Sequence, residues 1–389
     1  MNSLHTRLTT IALLVLLFLS SCPAVGPRGG VDLLALRDDL DRESIRRAVQ
    51  NSLRYLDAVP SEQTVGEWPR KFTAKEVKES LNAFMGLLDS LDQQESLMAA
   101  IHSQFDLYES VNHAGEEVLF TGYYQPVIEA SLDESPVFRY PIYGRPTDLL
   151  DADIGHFGPE LQKERIVGRV EGRRFVPYLS RHEIDGLGRL KGKGFEIAWA
   201  KDPVDLFFLH IQGSGLLRLQ EGRLLQLNYA ASNGRPYTSI GKVLLDRKRI
   251  REEEISMQSL RRYLRDHPEE QKQIFSENQR YIFFRIVEEG PVGSLGVPLT
   301  AGRSIATDRR LFPKAALAFI VTQRPILDPS GKLVGWEPFS RFVLNQDTGS
   351  AIRGGQRVDL FFGTGREAAA AAGHMKSTGK LYFLIKKGL

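Results

Sequence analysis

The sequence predicts a mixed, β-rich chain of two domains with a helical part in front. Three observations carry that expectation. The 389 residues are 42% hydrophobic and 25% charged, an ordinary globular balance with apolar material for about two domains. Between residues 32 and 110 apolar residues recur at helix-like spacings. From Val118 onward the apolar runs are short and broken by Gly and Pro, which suggests a small barrel rather than βαβ units.

Residues 1–22 read as a targeting segment. Arg7 is its basic start, and Ile11 to Leu19 is an apolar run too short to span a bilayer. Its end, Leu19-Ser20-Ser21-Cys22, resembles a bacterial lipobox, and Cys22 is the only cysteine of the chain. That resemblance implies cleavage, lipid attachment at Cys22 and no disulfides. Pro23 follows where an Asp would oppose sorting to the outer membrane, so the anchor points to the periplasmic face of that membrane. Residues 23–31 are rich in Pro and Gly and read as a tether. Removing residues 1–21 takes away Arg7 and no acid, so the formal charge becomes 3 − 1 = +2. Such a small excess argues against nucleic acid as a partner.

Leu33, Leu34 and Leu36 lead into Ile45, Val49, Leu53 and Leu56, and Glu76 to Leu91 and Glu95 to Leu107 repeat the helical type. Thr73-Ala74-Lys75-Glu76 is a capping-box start. This helical part, taken over residues 32–125, reads as scaffold. Val118 to Pro126, Phe138 to Tyr143, Phe195 to Pro203 and Leu206 to Gly215 read as strand-like segments. Residues 239–276 turn helical and charged. Tyr281 to Val287 and Ala315 to Val321 read as strands, and Pro291 to Thr300 as a loop. Thr364-Gly365-Arg366-Glu367 caps a short alanine helix ending at Gly373, and Leu381 to Ile385 closes the fold.

Chemistry concentrates between Asn345 and Gly363. Asp347 and Asp359 are separated by a stretch holding Gly349, Gly354 and Gly355, which permit tight turns or close approach by a bulky ligand. At period two, Val358, Leu360 and Phe362 share one face, suited to a core, and Arg357, Asp359 and Phe361 the other. Asp359 would then face a cleft, where partial shielding can raise a carboxyl into the range of a general acid. Structural roles stand beside this one: Asp347 suits an Asx turn, and Asp359 could pair with Arg357 or Arg353.

Asp347-Thr348-Gly349-Ser350-Ala351-Ile352-Arg353-Gly354, followed by Arg357-Val358-Asp359-Leu360-Phe361-Phe362-Gly363, resembles the closing motif of the 3D domain. That domain, named for three aspartates, ends the membrane-bound lytic murein transglycosylase A family. The third aspartate is Asp308, in Arg303-Ser304-Ile305-Ala306-Thr307-Asp308; Ser350 stands where the family usually has a second glycine. Thr121-Gly122-Tyr123-Tyr124-Gln125-Pro126, Phe208-Leu209-His210-Ile211-Gln212-Gly213-Ser214-Gly215 and the run from Asn233 to Lys242 resemble the family's first part. The resemblance implies a double-psi β-barrel over 276–389 joined to the helical part. It also implies a second, β-rich domain inserted over 126–275, and a groove between the two.

The function it implies is cleavage of the β-1,4 bond between N-acetylmuramic acid and N-acetylglucosamine in peptidoglycan, leaving a 1,6-anhydromuramic end. Asp359 would be the single general acid and base, with Asp347 and Asp308 in support. Its partners would be glycan strands, the membrane through the lipid, and proteins of a wall-synthesis complex. A glycan groove needs aromatic faces and polar side chains. Tyr123, Tyr124, Tyr143 and Trp199 are candidates for the first, and Gln125, Gln212, Ser214 and Asn233 for the second. His210 reads as structural. The eight histidines show no H-E-x-x-H or similar spacing, so no metal is expected. Gly363 to Ala368 fits G-x-G-x-x-A, but the short remainder of the chain to Leu389 leaves no room for a βαβ unit, so no cofactor is expected. Two rival readings remain: an inverting hydrolase in which Asp347 or Asp308 activates water, and a non-catalytic wall-binding lipoprotein.

Overall fold

The structure, a computed structural model, describes residues 37–90, 93–110, 117–158, 161, 165–288, 290–349 and 351–389. The targeting segment, Cys22, the 23–31 tether and Ser350 lie outside the described residues.

The helical part contains α1 (Arg42–Asp57), the short strands β1 (Thr64–Gly66) and β2 (Phe72–Thr73), α2 (Ala74–Ser90) and α3 (Gln94–Gln104). Asp41 caps α1 by accepting from the Ser44 N–H at 2.7 Å. The box expected before α2 is present: Glu76 Oε2 accepts from the Thr73 N–H, and Thr73 Oγ1 from the Glu76 N–H. The helix expected to run to Leu107 stops earlier. Phe105–Ser110 is strand β3, because its backbone pairs with the last strand of the fold and its Phe105, Tyr108 and Ser110 are buried. Sheet pairing overrides a weak helical pattern here.

Next come β4 (Val118–Gln125), β5 (Val127–Ser131), β6 (Tyr140–Tyr143), β7 (Leu150–Asp153), β8 (Arg165–Glu171), β9 (Arg174–Pro177) and β10 (Glu196–Ala200). They are followed by α4 (Pro203–Gln212), β11 (Gly215–Arg218), β12 (Leu224–Ser232), α5 (Ile240–Asp246), α6 (Met257–Asp266), α7 (Gln271–Glu277) and β13 (Ile282–Val287). The chain ends with β14 (Ser304–Ala306), β15 (Leu317–Leu327), β16 (Leu333–Asp347), β17 (Arg357–Thr364), α8 (Arg366–His374) and β18 (Lys376–Lys386).

The run Leu206 to Gln212, expected as a strand, is helix α4. Its punctuation explains this: Asp202 accepts from the Val204 and Asp205 N–H groups, Pro203 opens the first turn, and Gly213 closes the helix at φ 79°.

Strands β15-β16-β14-β17-β4-β18 form a sheet that closes through β15–β18 pairing, with β3 added outside β18. Two pairings are parallel, β14 with β16 and β17 with β4. The barrel core and the helical part share one apolar cluster, in which Phe84 of α2 meets Phe342 of β16 at 5.0 Å between centroids. The second sheet runs β13-β12-β11-β5-β10-β6, and a bridge from Gly144 to Phe284 brings its two edges together. Because β13 pairs with β12 over Ile282 to Val287, this sheet takes the chain to residue 287, past the boundary expected at 275. The β13 apolar run completes that sheet, whose core includes Ile282 and Phe284.

The helical part is tied to the barrel by Arg303, whose side chain is 0% exposed. Its guanidinium donates to Asp38 Oδ2 (2.6 Å), Ser44 Oγ (2.9 Å) and the carbonyls of Asp41 and Phe342 (both 2.9 Å). Removing one partner of a buried, hydrogen-bonded ion pair strands the others. Arg303→Met should therefore cost about 3–5 kcal/mol, read as a lower urea midpoint at unchanged m value. A midpoint equal to that of the parent protein would show that Arg303 does not fasten the two parts.

Candidate active site

Three strand pairings bring the site together. Asp347 of β16 pairs in register with Ala306 of β14, Ala306 with Asp359 of β17, and Asp359 with Thr121 of β4. The row therefore places two carboxylates on strands that flank β14, roughly 10 Å apart at the backbone by sheet spacing.

Asp359 is held in place by its neighbours. Arg357, two residues before it on the same face, forks onto it with Nε to Oδ1 at 2.8 Å and Nη2 to Oδ2 at 3.0 Å. Thr121 Oγ1 donates to Oδ1 and accepts from Arg357 Nε at 3.0 Å. Val358 and Leu360 enter the core as their alternation predicts. Phe361 is instead buried under Tyr123, with ring centroids 5.1 Å apart, and so does not line a cleft.

Asp347 is bound differently. Its Oδ1 accepts the N–H groups of Ser294 (2.9 Å) and Thr348 (2.8 Å), and its Oδ2 accepts the Tyr123 hydroxyl (3.1 Å). Burial raises its carboxyl above the usual range, and these donors offset only part of that. Burial and then the Asp347 and Asp359 charges push the Tyr123 hydroxyl far up, so it remains a neutral donor. Asp308 shows the reverse balance. Burial works to raise it, but the Arg310 fork and the Gly354 N–H (2.8 Å) outweigh that and hold it at about 2.

Several expected sugar contacts prove structural. Asn233 is 1% exposed; its Nδ2 donates to the Leu179 and Gln279 carbonyls, and its Oδ1 accepts from Arg235 and Tyr281 N–H groups. Every hydrogen-bonding position of the amide is used, so none is left for a sugar. The Tyr124 ring packs on Ala368 and Ala372 of α8, and its hydroxyl accepts from Arg261. Tyr143 belongs to the core cluster of the second domain, while Trp199 is half-buried on β10. Gln212 Oε1 accepts from the Tyr124 N–H at 3.1 Å, fastening α4 to the barrel. Ser214 sits half-buried in the turn after α4. Gln125 is buried; its Oε1 accepts from Thr364, and its Nε2 has no partner among the described residues. His210 is buried against Arg181; burial, then the Arg181 charge, holds the ring neutral.

Two residues absent from the expected set join the site. Thr121 binds Asp359 directly. Tyr237, on the loop after β12, lies near enough for the Arg357 and Asp359 charges to act on its hydroxyl, after the larger effects of burial and Ser239. Both lay inside motif segments, Thr121 before Gly122 and Tyr237 after Pro236. Gly122 has its own reason: a Cβ there would stand 2.7 Å from the Ala372 backbone. Among the described residues no group of three or more His, Cys, Asp and Glu gathers to hold a metal.

The pH dependence of stability follows from Asp308. Its depressed pKa contributes stability that is complete above the unfolded carboxyl range near 4 and is lost as pH falls through about 2. The difference is worth about 2 kcal/mol. Urea midpoints measured from pH 5 down to 2 should fall less steeply for Asp308→Asn than for the parent; parallel slopes would remove Asp308 from the acid limb.

Comparison with known proteins agrees with this geometry. Residues 119–285 match the MltA specific insert domain and residues 303–385 the 3D domain. The membrane-bound lytic murein transglycosylase A of Escherichia coli is 34% identical over 270 residues, which cover 69% of this chain and 65% of that protein, so the match spans just under two thirds of the curated relative. Solved relatives align more fully. The membrane-bound lytic murein transglycosylase of Agrobacterium tumefaciens gives a TM-score of 0.75 at 32% identity, covering 89% of this chain and 93% of its own. MltA of Neisseria gonorrhoeae gives 0.65 at 28%, covering 94% of each. E. coli MltA with bound chitohexaose gives 0.67 at 26%, covering 90% and 92%. With both domain matches lying on the two sheets, and one solved relative aligned over most of both chains, the chain belongs to the membrane-bound lytic murein transglycosylase A family.

Proposed function

We propose that the protein is a lytic transglycosylase of peptidoglycan that uses Asp359 as its single general acid and base. The observation that carries this reading is the row Asp347, Ala306, Asp359, Thr121, in which only Asp359 combines a fixed orientation with a face toward Tyr237 of the second domain. In the proposed reaction Asp359 gives its proton to the glycosidic oxygen as the C1–O bond of the muramic ring breaks. The positive charge at C1 is shared with the ring oxygen, with help from the acetamido group. The Asp359 carboxylate then takes the proton of the C6 hydroxyl, O6 bonds to C1, and the carboxyl ends protonated as it began. The first step needs the proton on Asp359, so glycan entry has to move Arg357 off at least one oxygen. Its side chain, 35% exposed, has room to turn aside. After proton transfer the same fork steadies the carboxylate.

An inverting hydrolase would need a second carboxylate that is ionised and open to water. Asp347 is raised by burial with both oxygens occupied, and both Asp308 oxygens are bound by Arg310 and Gly354. Neither suits that role, which favours ring closure by O6. Substrate and membrane setting come from the relatives: one was solved with chitohexaose, and several are named membrane-bound. Among the described residues no helix is long and apolar enough to cross a membrane. From the lipobox-like run Leu19 to Cys22 we assign membrane attachment to a lipid on Cys22, at the periplasmic face of the outer membrane.

Digestion of peptidoglycan in ¹⁸O-labelled water tests the chemistry. The muramic ends should be unlabelled, non-reducible and one water lighter than hydrolytic ends. Asp359→Asn should lower turnover by about 10²–10⁴-fold, the usual worth of general acid–base catalysis, with folding intact. Labelled, reducible ends as the main product would overturn the transglycosylase reading. Anchoring has a separate check: Cys22→Ala should leave a folded protein in the soluble fraction, and continued sedimentation with membranes would point to a different anchor.

A further inference from the structure

A cavity of about 150 Å³ opens beside the Asp359 row, lined by Tyr55, Ser294, Arg309, Lys314, Asp347 and Thr348. That is roughly five water volumes, enough for a carboxylate and the first carbons attached to it. Two of its lining groups are cations. Among the described residues no ion pair joins Arg309 or Lys314 to a carboxylate. The two nearby acids are spent elsewhere: Asp347 on Ser294, Thr348 and Tyr123, and Asp308 on Arg310 and Gly354.

The positive surface continues across to the second domain. Arg280, between α7 and β13, lies close enough to Arg353 and Arg309 for their charges to act on it. Burial lowers the Arg280 guanidinium first, Tyr229 opposes this, and the two arginines lower it further. Lys314 is likewise lowered, by burial and then by Arg309. Like charges are thus gathered from both domains, and the carboxylate in the cavity wall, Asp347, is bound by Ser294, Thr348 and Tyr123 and not by either cation. Elsewhere on this chain arginines near acids are paired, as Arg357 is with Asp359 and Arg341 with Asp39. Gathered cations without a partner cost stability and mark a place where an anion binds.

We propose that the Arg309–Lys314 cavity binds a carboxylate carried on the muramic acid residues of the glycan. This rests on the reading of the protein as a peptidoglycan enzyme and adds the substrate feature it selects. Each muramic ring bears a lactyl carboxyl, either free or extended by a stem peptide with carboxylates of its own. Both sources present the same group to the cavity. A chitin-type oligosaccharide has none, so it fills the sugar positions and leaves the cavity unused. Asp347, on the cavity wall, has its two oxygens taken by Ser294, Thr348 and Tyr123.

The test compares three ligands at equilibrium in an Asp359→Asn background: peptide-bearing glycan strands, the same strands stripped by an amidase, and neutral chitohexaose. Arg309→Gln combined with Lys314→Gln should weaken at least one of the two muramic ligands about tenfold, the order expected for losing one charge-assisted contact, and change chitohexaose binding less than about twofold. Raising salt should weaken the anionic ligands in the parent more than in the double variant. A loss confined to stripped strands, in which the amidase has freed the lactyl carboxyl from its amide, assigns the contact to the lactyl carboxylate; a loss confined to peptide-bearing strands assigns it to the stem peptide, and a loss with both means that either carboxylate fills the cavity. Arg309 is exposed, so Arg309→Gln alone supplies the comparison if the double variant does not fold. Unchanged affinity for both anionic ligands, or an equal loss for chitohexaose, overturns the proposal. Failure of the transglycosylase reading shows separately, as labelled reducible ends from the parent protein, and leaves this charge dependence standing.

Discussion

The parallel pairing of β17 with β4 is the constraint on which the site depends. It joins Asp359 to Thr121 across 238 positions of sequence, so no local turn could bring them together. Parallel strands need a crossover, and here the crossover is the entire second domain together with β14, β15 and β16. The pairing also sets which face each side chain takes. A slip of one residue would turn Asp359 into the core and Leu360 out of it. Closure of the barrel through β15 and β18 makes such a slip costly, because each of the six barrel strands has a partner on both sides.

Once the register is fixed, three carboxylates of one motif take three different surroundings. Asp308 is pinned as an anion by an arginine fork and a backbone N–H. Asp347 is driven toward its neutral form by burial and serves Tyr123 and the 291–300 loop as an acceptor. Asp359 keeps an arginine and a hydroxyl beside it and looks toward the other domain. Environment separates the roles of chemically identical groups, as it does wherever paired carboxylates divide their work.

The two domains are clipped together by side chains of the second domain. Gln212, Arg261 and Gln258 reach from the second domain to Tyr124 and to the Ala369 and Ala370 carbonyls. Tyr124, Gly122 and the alanines of α8 form the barrel's half of that contact, which is why the motif tyrosine is buried. Away from that contact, Tyr237 lies within reach of the Arg357 and Asp359 charges, and Arg280 within reach of the Arg309 and Arg353 charges. A cavity of about 510 Å³ among Glu129, Tyr140, Lys201 and Arg265 touches none of the three aspartates. Size alone does not locate the chemistry.

By itself the sequence determined the local pieces. Alternation over Val358 to Leu360 named the core face, Thr73 and Glu76 marked the start of α2, and the spaced aspartates marked the strands on which the candidate site is built. Asp202, Pro203 and Gly213 also marked α4, although a run of Leu and Phe between them reads equally well as a strand. What only the tertiary structure decided was contact between distant segments. Asn233 looks free in sequence, yet its amide is used up by Leu179, Gln279, Arg235 and Tyr281. Arg303 reads as one basic residue in a motif and proves to be the buried tie to the helical part. Phe105 to Ser110 became a strand because β18 offered it a ladder. Periodicity records which face of an element is apolar, but not which partner covers it. Hydrogen-bond satisfaction and burial belong to pairs of segments, and so they are settled only when the barrel closes.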